Sequence, residues 1–442
     1  MVISVKKEQS PQPMILTDLL ARHQNLRMHA HDGLMLDGRP LTPIARDHGT
    51  PAWIMSATTI RGRYAALAAA LAPTGAHIHY AVKANDHLAI LTLLARCGAG
   101  ADVVSLGELT RALRAGIPPA RIVFSGVGKS ADELTAALTE NIAQINIESA
   151  EELDQLAAIA TRLNRPARIA FRLNPDIDAG THHHISTGRL GDKFGIPIAD
   201  IPALYTRASE HPCLIPVGLA LHIGSQITSP APYRAAFART ASLVRALRAA
   251  GHTVTTLDCG GGLGIAYADE APLSLPAYTA AIAQSLVPLD LSLMVEPGRY
   301  LVRPAGLLLA RVILRKNARP RPFLVLDAAM TDLARPALYG AFHAILPLAP
   351  HHLHAPLAPL DVVGPVCEST DVLARARPLP PLEAGDFVAI LDTGAYGAVM
   401  SSTYNARPLA PQILIDGARA DLIRPRQPLA ELWQHEIVPP AP

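Results

Sequence analysis

From about residue 77 to 300 the chain repeats one pattern: a short apolar run, a polar tip, then an amphipathic stretch at helical spacing. The tips are Lys83 after HIHYAV, Ser105 after GADVV, Ser125 after RIVF, Glu148 after QINI, Asn174 after RIAFRL, His222 after VGLAL, Asp258 after TVTTL and Glu296 after LSLMV. Helical spacing fills 108–115, 131–138, 150–163 and 233–250 between them. Eight strand–helix units in series predict a parallel (β/α)8 TIM-type barrel, whose chemistry gathers at the C-terminal ends of its strands. The polar, glycine-containing stretch 176–196 reads as a long active-site loop rather than a missed element.

Near residue 307 the pattern changes. LLLARVILR, FLVLDAA, LDVVGPV, DFVAILDTGAYG and QILIDG follow, separated by proline-rich stretches at 346–360 and 378–384. They predict a C-terminal, mostly antiparallel β domain over 307–442. Near the N-terminus, GLMLDGRPLTPIARDHGT reads as a strand and turn followed by a short helix. Residues 1–45 are therefore expected to pack with the β domain, with the barrel occupying 46–306. The fold class is α/β.

Composition narrows the function without choosing it. Half the residues are hydrophobic, and the net charge of +2 gives no argument for a nucleic-acid or anionic-membrane partner. No apolar run reaches membrane-spanning length, and the N-terminus lacks an apolar signal core. The four cysteines are scattered without a CxxC pair, which argues against zinc and against a disulfide framework. A cytoplasmic enzyme with reduced thiols is the expectation.

The chemistry starts at Lys83. A lysine at a strand mouth is partly desolvated, which lowers its pKa and frees the amine for carbonyl chemistry, although an isolated lysine is by default a surface residue. The DCGGGLGI loop follows the seventh strand, where barrels often hold phosphate on backbone N–H groups. Gly261 and Gly262, with Ser225 and the backbone near Gly298, are the candidate donors. An imine-forming lysine and a phosphate cradle on one barrel face suggest pyridoxal phosphate. Glu296 is then the partner that keeps the ring nitrogen protonated, and His222 can stack on the ring. A salt bridge for Glu296 and a core position for His222 are the plainer alternatives.

AVKAN, GADVVSLGEL, HIGSQ, GGGLGI, EPGR, RPALYGAFH, GPVCES and GAYGAVMSSTYNARP occur in this order between about residues 30 and 410. Together they resemble the alanine-racemase-fold (type III) decarboxylases that use pyridoxal phosphate, and within them the diaminopimelate decarboxylases. The resemblance implies that Lys83 carries the cofactor, and that Gly261, Ser225, the segment Glu296–Arg299 and Tyr396 hold its phosphate and ring. It implies that Arg299, Arg335 and Tyr339 bind the carboxylate retained in the product. It implies a homodimer with shared sites, where Cys367 and Glu368 reach the neighbouring subunit, Cys367 near the protonated carbon and Glu368 at the distal ammonium. The expected reaction is loss of CO2 from meso-2,6-diaminopimelate to give L-lysine.

Other readings are a related decarboxylase of another diamino acid or carboxylated amine, an amino-acid racemase, and a non-catalytic cofactor-binding protein. A racemase needs a second base opposite Lys83, which Glu296 and Cys367 do not suggest. Cofactor-binding proteins of this kind are usually a barrel alone. Thr370, Thr331, Tyr300 and Arg303 depart from the family pattern. Thr370 stands where a glycine is expected, and a β-branched residue takes positive φ only at a cost. The histidines at 182–184, and His351, His352 and His354, are weak metal candidates because loop neighbours rarely converge on one ion.

Overall fold

The computed structural model describes residues 16–178, 188, 191–267 and 271–441. Eight parallel strands close a barrel: His77–Ala81, Gly100–Val103, Ile122–Phe124, Gln144–Ile147, Ala167–Asn174, Leu214–Leu221, Thr256–Asp258 and Ser292–Val295. The last strand meets the first at Met294↔His77 and Val295↔Ile78, which completes the ring. The fifth strand pairs with the fourth and the sixth, and a two-residue strand Ile196–Pro197 also runs beside it. The strands are short and buried on both faces, as parallel strands covered by helices must be.

Local chemistry places each helix start just past a strand tip. Ser105 accepts the Glu108 N–H at 3.2 Å, so the helix Leu106–Arg114 begins two residues before the predicted stretch. Ser130 and Glu133 form a reciprocal capping box at Ala131–Glu140, and Ser149 caps Ala150–Leu163 through Glu152. Each cap supplies about 1 kcal/mol by satisfying an N–H that has no partner within the helix. Asn141 and Asn164 end two of these helices in the left-handed conformation, which asparagine tolerates.

The second sheet is mixed and built around Gly306–Lys316, which pairs antiparallel with Phe387–Leu391, Phe323–Leu326 and Ala52–Ser56. Ala52–Ser56 also pairs in parallel with Gln412–Asp416 (Gln412↔Trp53). This corrects the expected boundary at 46, since the strand at 52–56 belongs to the β sheet. All five of its residues are buried, and such a run reads the same in a barrel as in a central sheet strand. The N-terminal strands Leu26–His29 and Gly33–Leu36 lie against this sheet, where the Leu34 N–H donates to the Leu348 carbonyl at 2.8 Å. Leu34, Leu41 and Ile44 share a core with Leu307, Leu346 and Ile413. Among the described residues no helix is long and apolar enough to cross a membrane.

Candidate active site

A cavity of about 440 Å³ opens where the barrel mouth faces the β domain. It is lined by Lys83, His222, Ser225, Gly262, Glu296, Gly298, Arg299, Arg335, Tyr339 and Tyr396, and so gathers most of the predicted site residues. A smaller cavity of about 340 Å³ continues into the barrel past Lys83 and Glu296, toward Arg172 and Phe194.

Lys83 lies in the 3-10 turn Val82–Ala84 that ends the first strand. Its Nζ meets Asp102 Oδ2, on the second strand, at 3.0 Å. Burial by itself would lower the lysine pKa, as its place at a strand mouth predicts. The charges of Asp102 and Glu296 outweigh that effect and hold the ammonium above the ordinary lysine range. The expected free amine is therefore not its state before the cofactor arrives. Asp102 is itself pushed up to about 6 by burial and by the neighbouring Glu296, against the pull of Lys83, and its Oδ1 is buried without a hydrogen-bond partner.

Glu296 stands at the end of the eighth strand, 5% exposed. Burial alone would raise its pKa, but His222, Asp258 and the Lys83 charge hold it well below the carboxylate range, so it is ionised. Beside it Asp258, at the end of the seventh strand, is driven well above that range by burial and by the Glu296 charge, and is protonated. Asn146 donates to Asp258 Oδ2 at 3.1 Å and the Gly260 N–H to Oδ1 at 2.9 Å, which fixes that carboxyl. The Nδ1 of His222 faces both the Gly261 N–H, at 3.1 Å, and Glu296 Oε2, at 3.7 Å. Burial lowers the His222 pKa, and the ring is neutral.

The glycine loop is shaped for close approach. Gly262 has φ +92°, and a Cβ there would meet the Gly224 carbonyl oxygen at 2.3 Å. Gly261 does not present its N–H to the cavity as predicted, because His222 takes it. Arg299 Nη2 donates to Ser225 Oγ at 3.0 Å, its guanidinium lies 4.8 Å from the Tyr396 ring, and its Nε is buried without a partner. Tyr396 has φ 55°, a left-handed conformation held by its N–H on the Ala84 carbonyl at 2.8 Å. A lysine, an ionised carboxylate, a neutral histidine, a glycine cradle and an unsatisfied guanidinium donor fit pyridoxal phosphate. Lys83 would hold it covalently, Glu296 would face the ring nitrogen, and the loop around Gly262 with Ser225 would receive the phosphate.

Cys367 and Glu368 are exposed and do not line this cavity. Asp371 accepts the Met330 N–H at 2.6 Å and the Val366 N–H at 2.8 Å, which ties their loop to the β domain. Thr370 keeps a φ outside the left-handed region, so the strain expected of it is absent. The histidines at 182–184 lie outside the described residues. His352 pairs with Asp386 at 3.5 Å, and no group of three or more metal-ligating side chains occurs among the described residues.

Three participants escape sequence reading, Asp102, Arg172 and Tyr267, while Asp258 is legible as a strand tip but carries no role there. Asp102 is an acid within an otherwise apolar strand, the one signal that could have exposed it. Arg172 donates to Glu148 at 2.7 Å at the inner cavity. Tyr267 follows directly on the glycine loop and touches both predicted substrate arginines.

The barrel, the strand-end lysine and the acid beside it define a pyridoxal-dependent enzyme. Residues 57–303 match the family described as "Pyridoxal-dependent decarboxylase, pyridoxal binding domain". The diaminopimelate decarboxylase of Zymomonas mobilis is 44% identical over 408 residues, spanning 91% of this chain and 96% of that protein. The structure of diaminopimelate decarboxylase from Helicobacter pylori complexed with L-lysine aligns with a TM-score of 0.87 at 41% identity, covering 90% of this chain and 99% of that one. The enzyme from M. jannaschii in complex with L-lysine aligns at 0.89 and 34% identity, covering 94% and 98%. The chain belongs to the diaminopimelate decarboxylase family.

Proposed function

We propose that this chain decarboxylates meso-2,6-diaminopimelate at its D-centre and releases L-lysine and CO2, the last step of lysine biosynthesis. The observation that carries it is the convergence of Arg299 and Arg335 on the same cavity as Lys83 and Glu296. A diamine end needs no such pair, whereas an amino-acid end that stays intact presents a carboxylate that planar guanidiniums match. Pyridoxal phosphate supplies the electron sink for the negative charge left at the α-carbon. Ionised Glu296 would keep that sink strong by favouring a proton on the ring nitrogen, and neutral His222 would offer the ring a flat face without adding charge. Arg299, Arg335 and Tyr339 fix which end of the substrate is retained.

Cys367 and Glu368 act, in this proposal, in the second subunit of a homodimer; their exposure supports that placement, as does a cavity whose one acid among the described lining residues is Glu296. The four thiols are free, which suits a cytoplasmic setting. The test is turnover by the holoenzyme of meso-diaminopimelate, lysine, ornithine and arginine, with CO2 and amine products measured. Lysine from diaminopimelate alone is expected, and turnover of another substrate in its place would refute the assignment. Mixing Lys83→Ala with Cys367→Ala protein should restore part of the activity; no recovery in demonstrated heterodimers would overturn the shared site.

A further inference from the structure

Tyr267 is the point where the substrate arginines meet. Arg335 Nη1 donates to its hydroxyl at 2.9 Å, and Arg299 Nη1 donates to the same oxygen. A third guanidinium, that of Arg303, lies flat on the ring with its central carbon 3.1 Å from the centroid. Arg303 cannot drift. It is 1% exposed, donates through Nη1 to the Ala266 carbonyl at 2.9 Å, and stands 3.4 Å from Asp392. The His343 ring packs edge-on to Tyr267, with centroids 6.2 Å apart at 85°. The phenol is thus pinned on its face and its edge, with its oxygen held at the cavity wall.

Two buried guanidiniums at one cavity wall repel each other, and an acceptor between them offsets that repulsion. The phenol oxygen is that acceptor. Burial would raise its pKa, but the charges of the three arginines lower it, so they favour negative charge on the oxygen that two of them share. The Arg303 stack, itself beside Asp392, holds the ring through contacts that involve no ligand.

We propose that Tyr267, backed by Arg303, is the positioning residue of the carboxylate clamp, holding Arg299 and Arg335 at the spacing at which they receive the retained carboxylate. The proposal rests on the amino-acid-end reading given above. It assigns a purpose to the buried charge of Arg303.

The test uses Tyr267→Phe, which keeps the ring and the Arg303 stack and removes only the shared oxygen. Dissociation constants for L-lysine and cadaverine are read from the absorbance change of the bound cofactor in wild-type and variant holoenzyme. These ligands differ by the carboxylate that the clamp would hold. Loss of a hydrogen bond to charged groups predicts L-lysine binding weakened about tenfold or more, with cadaverine changed less than about twofold. For the substrate, KM should rise while kcat falls less than about threefold. Arg303→Lys, which keeps the charge but loses the planar stack, should give the same split at smaller amplitude and serves if Tyr267→Phe yields no folded holoenzyme. Equal weakening of both ligands, or no weakening of either, overturns the proposal. Wild-type turnover is a separate readout: an enzyme that prefers L-lysine to cadaverine but decarboxylates a different amino acid refutes the assigned substrate and leaves the clamp standing.

Discussion

Asp102→Asn should change when Lys83 is able to react. The two side chains meet at 3.0 Å, with Asp102 fully buried and Lys83 35% exposed toward the cavity. At that separation an effective dielectric of about 20 gives about 5 kcal/mol of attraction. Solvent reaching the lysine through the open cavity cuts this to about 2–3 kcal/mol, or about two pKa units. The sign follows from the causes: burial lowers the Lys83 pKa, while Asp102, Glu296 and Tyr396 raise it. Removing the largest raising charge moves the value down. Only the neutral amine attacks a carbonyl, so the rate at which apoenzyme takes up pyridoxal phosphate should rise with pH, with a midpoint set by Lys83. Following cofactor absorbance after mixing, from about pH 7 to 11, the Asn variant should load up to about 100-fold faster at the acidic end, where wild type is still an ammonium. Superimposable pH profiles from two equally stable proteins would refute the reasoning.

Other outcomes follow from the buried charges and the glycine loop. Asp392→Asn leaves Arg303 buried beside an uncharged partner and should cost about 3–5 kcal/mol, seen as a lower Tm, while adding Arg303→Met should recover most of it. The same acid sets a pH window. Its folded pKa is depressed to about 2, so its contribution is present above about pH 4 and is lost as pH falls through 2. His23, 3.2 Å from Asp392, has a raised pKa despite burial that would lower it, because Asp392 accepts its proton charge. Its contribution is present below about pH 6.5 and lost as pH rises through the folded value, so His23→Ala should flatten the fall in Tm on the alkaline side. In Gly261→Ala the new Cβ would lie 2.3 Å from the Glu296 carbonyl oxygen, and cofactor affinity should collapse while circular dichroism shows the barrel intact.

The barrel was legible because each catalytic tip sits at the end of an apolar run, and those runs alternate with helical spacing. Lys83, His222 and Glu296 could be found that way, since position at a strand end is a one-dimensional property. What lay hidden is lateral. Asp102 acts on Lys83 from the neighbouring strand, and nothing in GADVV says which residue its carboxyl faces. The sequence implies a lowered Lys83 pKa for the same reason: desolvation is visible at a strand mouth, but the approach of Asp102 and Glu296 to its amine is not. Ala52–Ser56 reads as part of the barrel because a fully buried strand carries no alternation to reveal its sheet. Tyr267 lies beyond a glycine loop whose path sets where the ring lands, and glycines leave that path open.

The pairing of Ala52–Ser56 with Gly306–Lys316 and Gln412–Asp416 has a consequence for synthesis. The strand that leads into the barrel emerges from the ribosome first, yet both of its partners are translated only after the whole barrel. At about 5–20 residues per second, an apolar five-residue edge waits some tens of seconds for its neighbours. The barrel is contiguous and can close meanwhile. The β sheet cannot, and the newborn chain leaves that strand without its sheet partners until Gly306–Lys316 and then Gln412–Asp416 are made.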